Sequence, residues 1–190
     1  MSTNKVKYGI SNVHYAKMTV ANDGTISYGT PVAIPGAVSL SADPEGDTSP
    51  FYADNIVYYT SVSNNGYSGD LEVAMLPDSF LTDILGAEID SNGAIFEAND
   101  DTVSQFALMF QMDGDKANRR VCYYNVTAQR PSTEANTTED SKEPQTDTIS
   151  ITMAPRTTDK VVKCVMEKTE DNTAAYNGFF NAVYEKYLSV

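Results

Sequence analysis

The side chains able to do acid–base, nucleophilic or metal chemistry are few in kind and scattered in this chain. There is one histidine, His14, so any nucleophile–histidine arrangement would have to use it. It stands in Val13-His14-Tyr15-Ala16-Lys17-Met18, a strand-like run, and reads as a packing or interface residue rather than a general base. Cys122 and Cys164 lie far apart without metal-ligand spacing and read as buried thiols. Gly66-Tyr67-Ser68-Gly69 departs from the spacing of a nucleophile elbow and opens a strand from a turn. Neither a P-loop nor a dinucleotide fingerprint occurs. A glycosidase needs two carboxylates about 5–10 Å apart; many acids do not make such a pair, and without Trp a sugar cleft would rest on Tyr alone. Asp43 to Asp47 and Asp113-Gly114-Asp115 offer clustered oxygens to a hard cation, but neither completes an EF-hand loop, and both read as turns. The expectation is a chain that is not an enzyme and uses no cofactor and no metal.

Charge narrows the classes further. Asp and Glu number 26 against 13 Lys and Arg, a net charge of −13 over 190 residues. General affinity for nucleic-acid phosphates needs clustered cations, so a DNA- or RNA-binding role is disfavoured. No apolar run approaches the roughly 18 residues of a membrane span, and Met1 to Ile10 lacks the apolar core of a secretory signal. The chain is expected to be made in a cytoplasm, with no membrane partner.

The elements that would position these residues are mostly strands. Val13 to Val20, the Asn22-Asp23-Gly24 turn and Thr25 to Tyr28 predict a hairpin. Pro31 and Pro35 suggest a sheet edge. Val38, Leu40 and Ala42 alternate with Ser39, Ser41 and Asp43, and the acidic segment Asp43 to Asp47 breaks that strand. Tyr67 to Leu76 is the clearest strand, with Leu71, Val73 and Met75 on one side and Ser68, Asp70 and Glu72 on the other. Pro77 starts a short amphipathic helix closed by Gly86, with Phe80, Leu81, Ile84 and Leu85 as its stripe. Strands follow at Ser104–Met112, with Phe106, Leu108, Phe110 and Met112 inward, and at Val121–Arg130, with Cys122, Tyr124, Val126 and Ala128 inward. Thr148–Ala154 and Lys160–Met166 complete the set. Apolar residues from Tyr176 to Leu188 recur at helical spacing. About nine short strands with turn signals predict a mainly β fold: an antiparallel β-sandwich or barrel in one domain, 1–190, with one short central helix and a C-terminal helix.

One stretch fits no compact sheet. Between Pro31 and Leu85 two strand-like runs flank a long acidic, Pro/Gly-punctuated, tyrosine-rich excursion. Such a loop in a compact domain needs something to order it, and a neighbouring copy of the same chain would do so. Residues 131–147 are polar and acidic and read as a second, mobile loop.

KYGISNVHYAKMT, YGTPVAIPGAVSLSADPEGDTSPFYAD, NNGYSGDLEVAMLPDSFLTDILG, FALMFQMDGDKANRRVCYYNVTAQRP and TDTISITMAPR, in order from about Lys5 to Arg156, resemble the major tail proteins of long, non-contractile-tailed bacteriophages. The resemblance implies a tail-tube subunit: an antiparallel β-sandwich with a packed helix, six copies per ring, and rings stacked into a hollow tube of the virion. A long loop and terminal arms reach adjacent rings in that family. Here they would be residues 43–59, with Asp43, Glu45, Asp47, Phe51, Tyr52, Tyr58 and Tyr59, residues 1–12, and the 168–190 helix or arm. The implied partners are further copies of the chain, a tape measure protein, a tail terminator, distal tail proteins, and viral DNA that passes without specific binding.

The residues agree with such a role. Strand edges become assembly surfaces when other subunits pair with them, and cyclic contacts are heterologous, so one chain can carry both sides. Six copies would place a formal charge of about −78 on a ring. If part of it lined the lumen it would repel DNA phosphates; Asp70 and Glu72 are the lumen candidates. The alternatives are an inner-tube subunit of a contractile tail or tailocin, and a monomeric ligand-binding β-sandwich.

Overall fold

The computed structural model describes residues 6, 8–114, 118–133, 137 and 145–186. Residues 1–5 and 7 of the expected N-terminal arm, most of the 131–147 loop, and Tyr187 and Leu188 of the C-terminal stripe lie outside the described residues.

The chain opens with β1 (Gly9–Val20), which turns through Asp23 and Gly24 into β2 (Ile26–Tyr28). The turn is held by Asp23, whose Oδ1 accepts the Thr25 N–H at 2.9 Å, and by Gly24 at φ +83°. Short pieces β3 (Val32–Ala33), β4 (Ala37–Leu40) and β5 (Asp43–Glu45) follow, then β6 (Thr48–Ala53), β7 (Ile56–Val62) and β8 (Gly66–Val73). Helix α1 (Asp78–Asp83) starts after Pro77, whose ring cannot donate to a ladder. The chain continues through β9 (Glu88–Ile89), β10 (Ile95–Phe96), β11 (Phe106–Asp113), β12 (Arg120–Ala128), β13 (Asp147–Ala154), β14 (Lys163–Met166) and α2 (Thr173–Asn177). The expected mainly β, antiparallel architecture is what forms. Among the described residues every strand pairing is antiparallel.

Ten strands make one sheet, whose main path runs β2-β1-β11-β12-β13-β8-β4. The two ends of the run from β1 to β4 come back into contact, so the sheet curls around a single core. Val13, Tyr15, Leu71, Val73, Phe106, Leu108, Phe110, Val121, Tyr123, Val126, Ile149, Ile151 and Met153 all point into it. Helix α1 closes the curl by inserting Phe80, 0% exposed, edge-on between Tyr15 (5.1 Å) and Phe106 (5.4 Å).

Bulges set the facings of three strands, two of them against expectation. In β1 the register slips between Ser11 and His14, with Asn12 at φ +52°, so Ile10 and Val13 both turn inward. In β12 a slip opposite Phe106–Leu108 puts Val121, Tyr123, Val126 and Ala128 inward, while Cys122 and Tyr124 face the back of the sheet. Cys122 and Tyr124 were expected inward, and Phe106 to Phe110 to bury one side only; all five of those residues are buried. In β4 a slip between Ala37 and Ser39 expels Val38, which is 51% exposed rather than inward. Strand β8 ends at Val73, one turn before α1, so Met75 is 74% exposed and Leu76 is buried in its place.

The double burial of β11 and β12 has a cause at the C-terminus. Helix α2 spans five residues, not the whole stripe expected from Tyr176 to Leu188. Past Gly178 the chain continues in turns, and Phe179, Phe180, Val183 and Tyr184 pack on Ala16, Ala107, Met109, Cys122 and Tyr124. Arg120 stacks over Tyr176 at 3.9 Å and donates to its carbonyl oxygen. Buried Arg156 lies 4.3 Å over the Tyr124 ring and donates to both Glu185 oxygens (2.9 and 2.8 Å) and both Asp159 oxygens (3.0 and 2.6 Å). These bonds from Arg156 hold the Asp159 carboxyl below its ordinary range.

Candidate assembly surfaces: an exposed aromatic hairpin and an acidic ladder

His14 and the buried Cys122 are held in packing contacts. His14 stacks on Phe180 at 4.9 Å, with Nδ1 2.9 Å from the Asn12 carbonyl oxygen. Burial pushes the Cys122 thiol well above its usual range, which suppresses the thiolate. Gly66 and Gly69 are required by crowding: a Cβ there would lie 2.0 Å from the Met153 carbonyl oxygen and 2.2 Å from that of Ser41. Among the described residues no cluster of His, Cys, Asp and Glu could hold a metal ion. Asp113 accepts from Gln111 at 2.9 Å, and Asp43 and Glu45 lie in a strand, not a cation-binding turn.

What remains distinctive is the surface, and the structure divides residues 43–59 into two parts. Asp43 and Glu45 belong to β5, paired to β8 with Asp43 opposite Ser68 and Glu45 opposite Gly66. They therefore share the outer face of β8 with Ser68, Asp70 and Glu72. Strands β4 and β13 extend that face with Ser39, Thr148, Ser150 and Thr152. Hydroxyls and carboxylates bond across it. Ser150 donates to Asp70 at 2.7 Å; Thr146 and Ser39 donate to Glu72 at 2.7 and 2.9 Å; Ser68 donates to Glu45. The Thr146 bond, then the Ser39 bond, hold the Glu72 carboxyl below its ordinary value. None of the residues named on this face is Lys or Arg. Asp70 and Glu72, chosen from strand alternation alone, are thus joined by two acids assigned from sequence to the loop; opposite register on β8 was the missing signal.

The second part is a free-standing hairpin. Asp47 and Ser63 close its root, through Ser63 N–H to the Asp47 carbonyl oxygen (3.0 Å) and Asp47 N–H to Ser63 Oγ (2.9 Å). Asp54 and Asn55, at φ +52° and +60°, make the tight turn at its tip, a conformation their short polar side chains tolerate. Strands β6 and β7 pair only with each other among the described residues. Phe51 lies opposite Tyr59 and Tyr52 opposite Val57, and a register slip leaves Tyr58 bulged and 71% exposed. Ile56 and Val62 are exposed as well, so both faces of the hairpin carry apolar groups into solvent. A lone two-stranded hairpin is marginal in water, and a contiguous apolar surface of this kind marks an interaction site.

A closed core, a carboxylate face hydrogen-bonded to neighbouring hydroxyls at Glu45, Asp70 and Glu72, and an exposed apolar hairpin mark an interaction surface. The family model described as phage tail tube protein matches residues 1–187, and the chain belongs to that family. No curated protein matches it. Among solved structures, the cryo-EM structure of the anti-feeding prophage cap, described as the AFP tube terminating cap, is similar over 86% of this chain and 94% of that one. The two share 13% identity with a TM-score of 0.47.

Proposed function

We propose that this tail tube protein is the subunit of a long, non-contractile phage tail, with six copies closing each ring and rings stacking into a hollow tube of the virion. The observation that carries the reading is the β6–β7 hairpin: a tube-family chain holds an ordered, two-faced apolar element that its own fold leaves bare. The hairpin, with Asp47, Phe51, Tyr52, Tyr58 and Tyr59, is the inter-ring element, buried when a neighbouring ring covers it. The acidic ladder of Asp43, Glu45, Asp70 and Glu72 lines the bore, where carboxylates repel DNA phosphates and leave the DNA free to slide. Tape measure, tail terminator and distal tail proteins are its partners at the core and ends of the tube.

Negative-stain microscopy of the purified chain tests the assembly. Hollow rods of uniform width with hexagonal end views are expected, and a solitary, fully ordered monomer at high concentration refutes it. For the bore, Asp70→Lys with Glu72→Lys is expected to slow DNA ejection from assembled tails. Unchanged ejection removes the lumen assignment.

A further inference from the structure

The curled sheet does not close evenly. Over Gly9–Ser11, β1 pairs only with β11, and β4 pairs only with β8, among the described residues. Between these two edges lies a groove of about 470 Å³. Its floor is core-facing Tyr67, Phe110 and Tyr123, and its walls include Ile10 and the expelled Val38. Lys163 stands on its rim, with Nζ 4.3 Å from the centre of the Tyr67 ring and no carboxylate in ion-pair distance among the described residues.

The β6–β7 hairpin has the complementary properties. From Asp43 to Val62 there is no Lys or Arg, and Asp54 sits at the tip beside exposed Ile56. The groove adjoins the hairpin's own root, since Tyr67 pairs with Pro44 and Ala42 lines the groove. Two paired strands of about six residues hold the tip roughly 20 Å from that root, so a chain cannot fill its own groove. Donor and acceptor at opposite ends of one element give a head-to-tail contact that repeats.

We propose that the groove between β1 and β4 is the receptor for the β6–β7 hairpin of a second copy of this chain, with Asp54 of the incoming tip facing Lys163. The proposal rests on the hairpin being an inter-subunit element and adds where it lands.

Charge exchange in the full-length chain tests it, read by sedimentation and light scattering of polymerising protein. Lys163→Glu and Asp54→Lys are each expected to raise the concentration needed for polymerisation roughly tenfold or more. The double variant, which restores opposite charges in reversed order, is expected to return within about threefold of the parent. A double variant as poor as the worse single one, or single variants that polymerise like the parent, overturns the proposal. A chain with residues 48–62 replaced by Asn-Gly separates the two readings. If it polymerises normally, the inter-ring role of the hairpin fails and the receptor with it. If it does not polymerise while charge exchange fails to rescue, the receptor assignment alone is wrong.

Discussion

The hairpin and the acidic ladder are consecutive in sequence and both exposed, yet they are finished to different degrees. On the ladder, Glu45, Asp70 and Glu72 each receive a hydroxyl from elsewhere in the same chain, and the polar face is otherwise open to water. On the hairpin, Phe51, Tyr52, Tyr58 and Tyr59 meet solvent on both sides. A polar face is satisfied by water and nearby hydroxyls, whereas an apolar one is satisfied only by being covered. The difference separates a surface that is stable in water from one that gains by being covered.

The largest effect should come from the body beneath both regions. Phe80→Ala removes the ring wedged between Tyr15 and Phe106 and is expected to reduce unfolding free energy by about 3–5 kcal/mol, measured by chemical denaturation. If the hairpin is independent of the body, its amide exchange stays unchanged below the transition. Next, Phe51→Ser with Tyr52→Ser and Tyr59→Ser should lower assembly by roughly a hundredfold while shifting unfolding by no more than about 0.5 kcal/mol. A comparable loss of monomer stability would mean that the hairpin is part of the fold, which breaks the contrast.

Alkali should weaken the body. Burial raises the Tyr15 and Tyr28 hydroxyls from 10.0 to about 12. In the unfolded chain they ionise first, so their contribution is complete below pH 10 and is lost as pH rises through about 12. Urea midpoints measured across that window should fall, and Tyr28→Phe should make the fall shallower. The smallest effect belongs to the ladder. Thr146→Val should return the Glu72 carboxyl upward toward its ordinary value in an NMR titration, with Ser39→Ala doing so to a lesser degree. No movement in either variant would mean that those hydroxyls do not hold the carboxylate.

Strand alternation was enough to place Leu71 and Val73 inside and Asp70 and Glu72 outside, and the Asp-Gly turn, Pro77 and the Phe80/Ile84 stripe located β1–β2 and α1. These are local signals: period, turn chemistry and a missing N–H act within a few residues of themselves. The tail-tube family, too, was legible from the ordered run of segments between Lys5 and Arg156, and the match over residues 1–187 agrees with it. Met75 is exposed because β8 ends at Val73, and Val38 and the back-facing Cys122 and Tyr124 could not be read from alternation either. A bulge changes the parity of every residue beyond it, and its position is chosen by the partner strand. The same reason hid Asp43 and Glu45 on the ladder and Val38 beside the groove, because pairing of β5 and β4 to β8 is a contact between distant residues. The C-terminal stripe is helical only over Thr173–Asn177: periodicity marked which residues are apolar, but the back of β11 and β12 lets turns bury them as well as a helix would. The chain's own pattern therefore determined its elements and its kinship, while packing decided which face each residue serves.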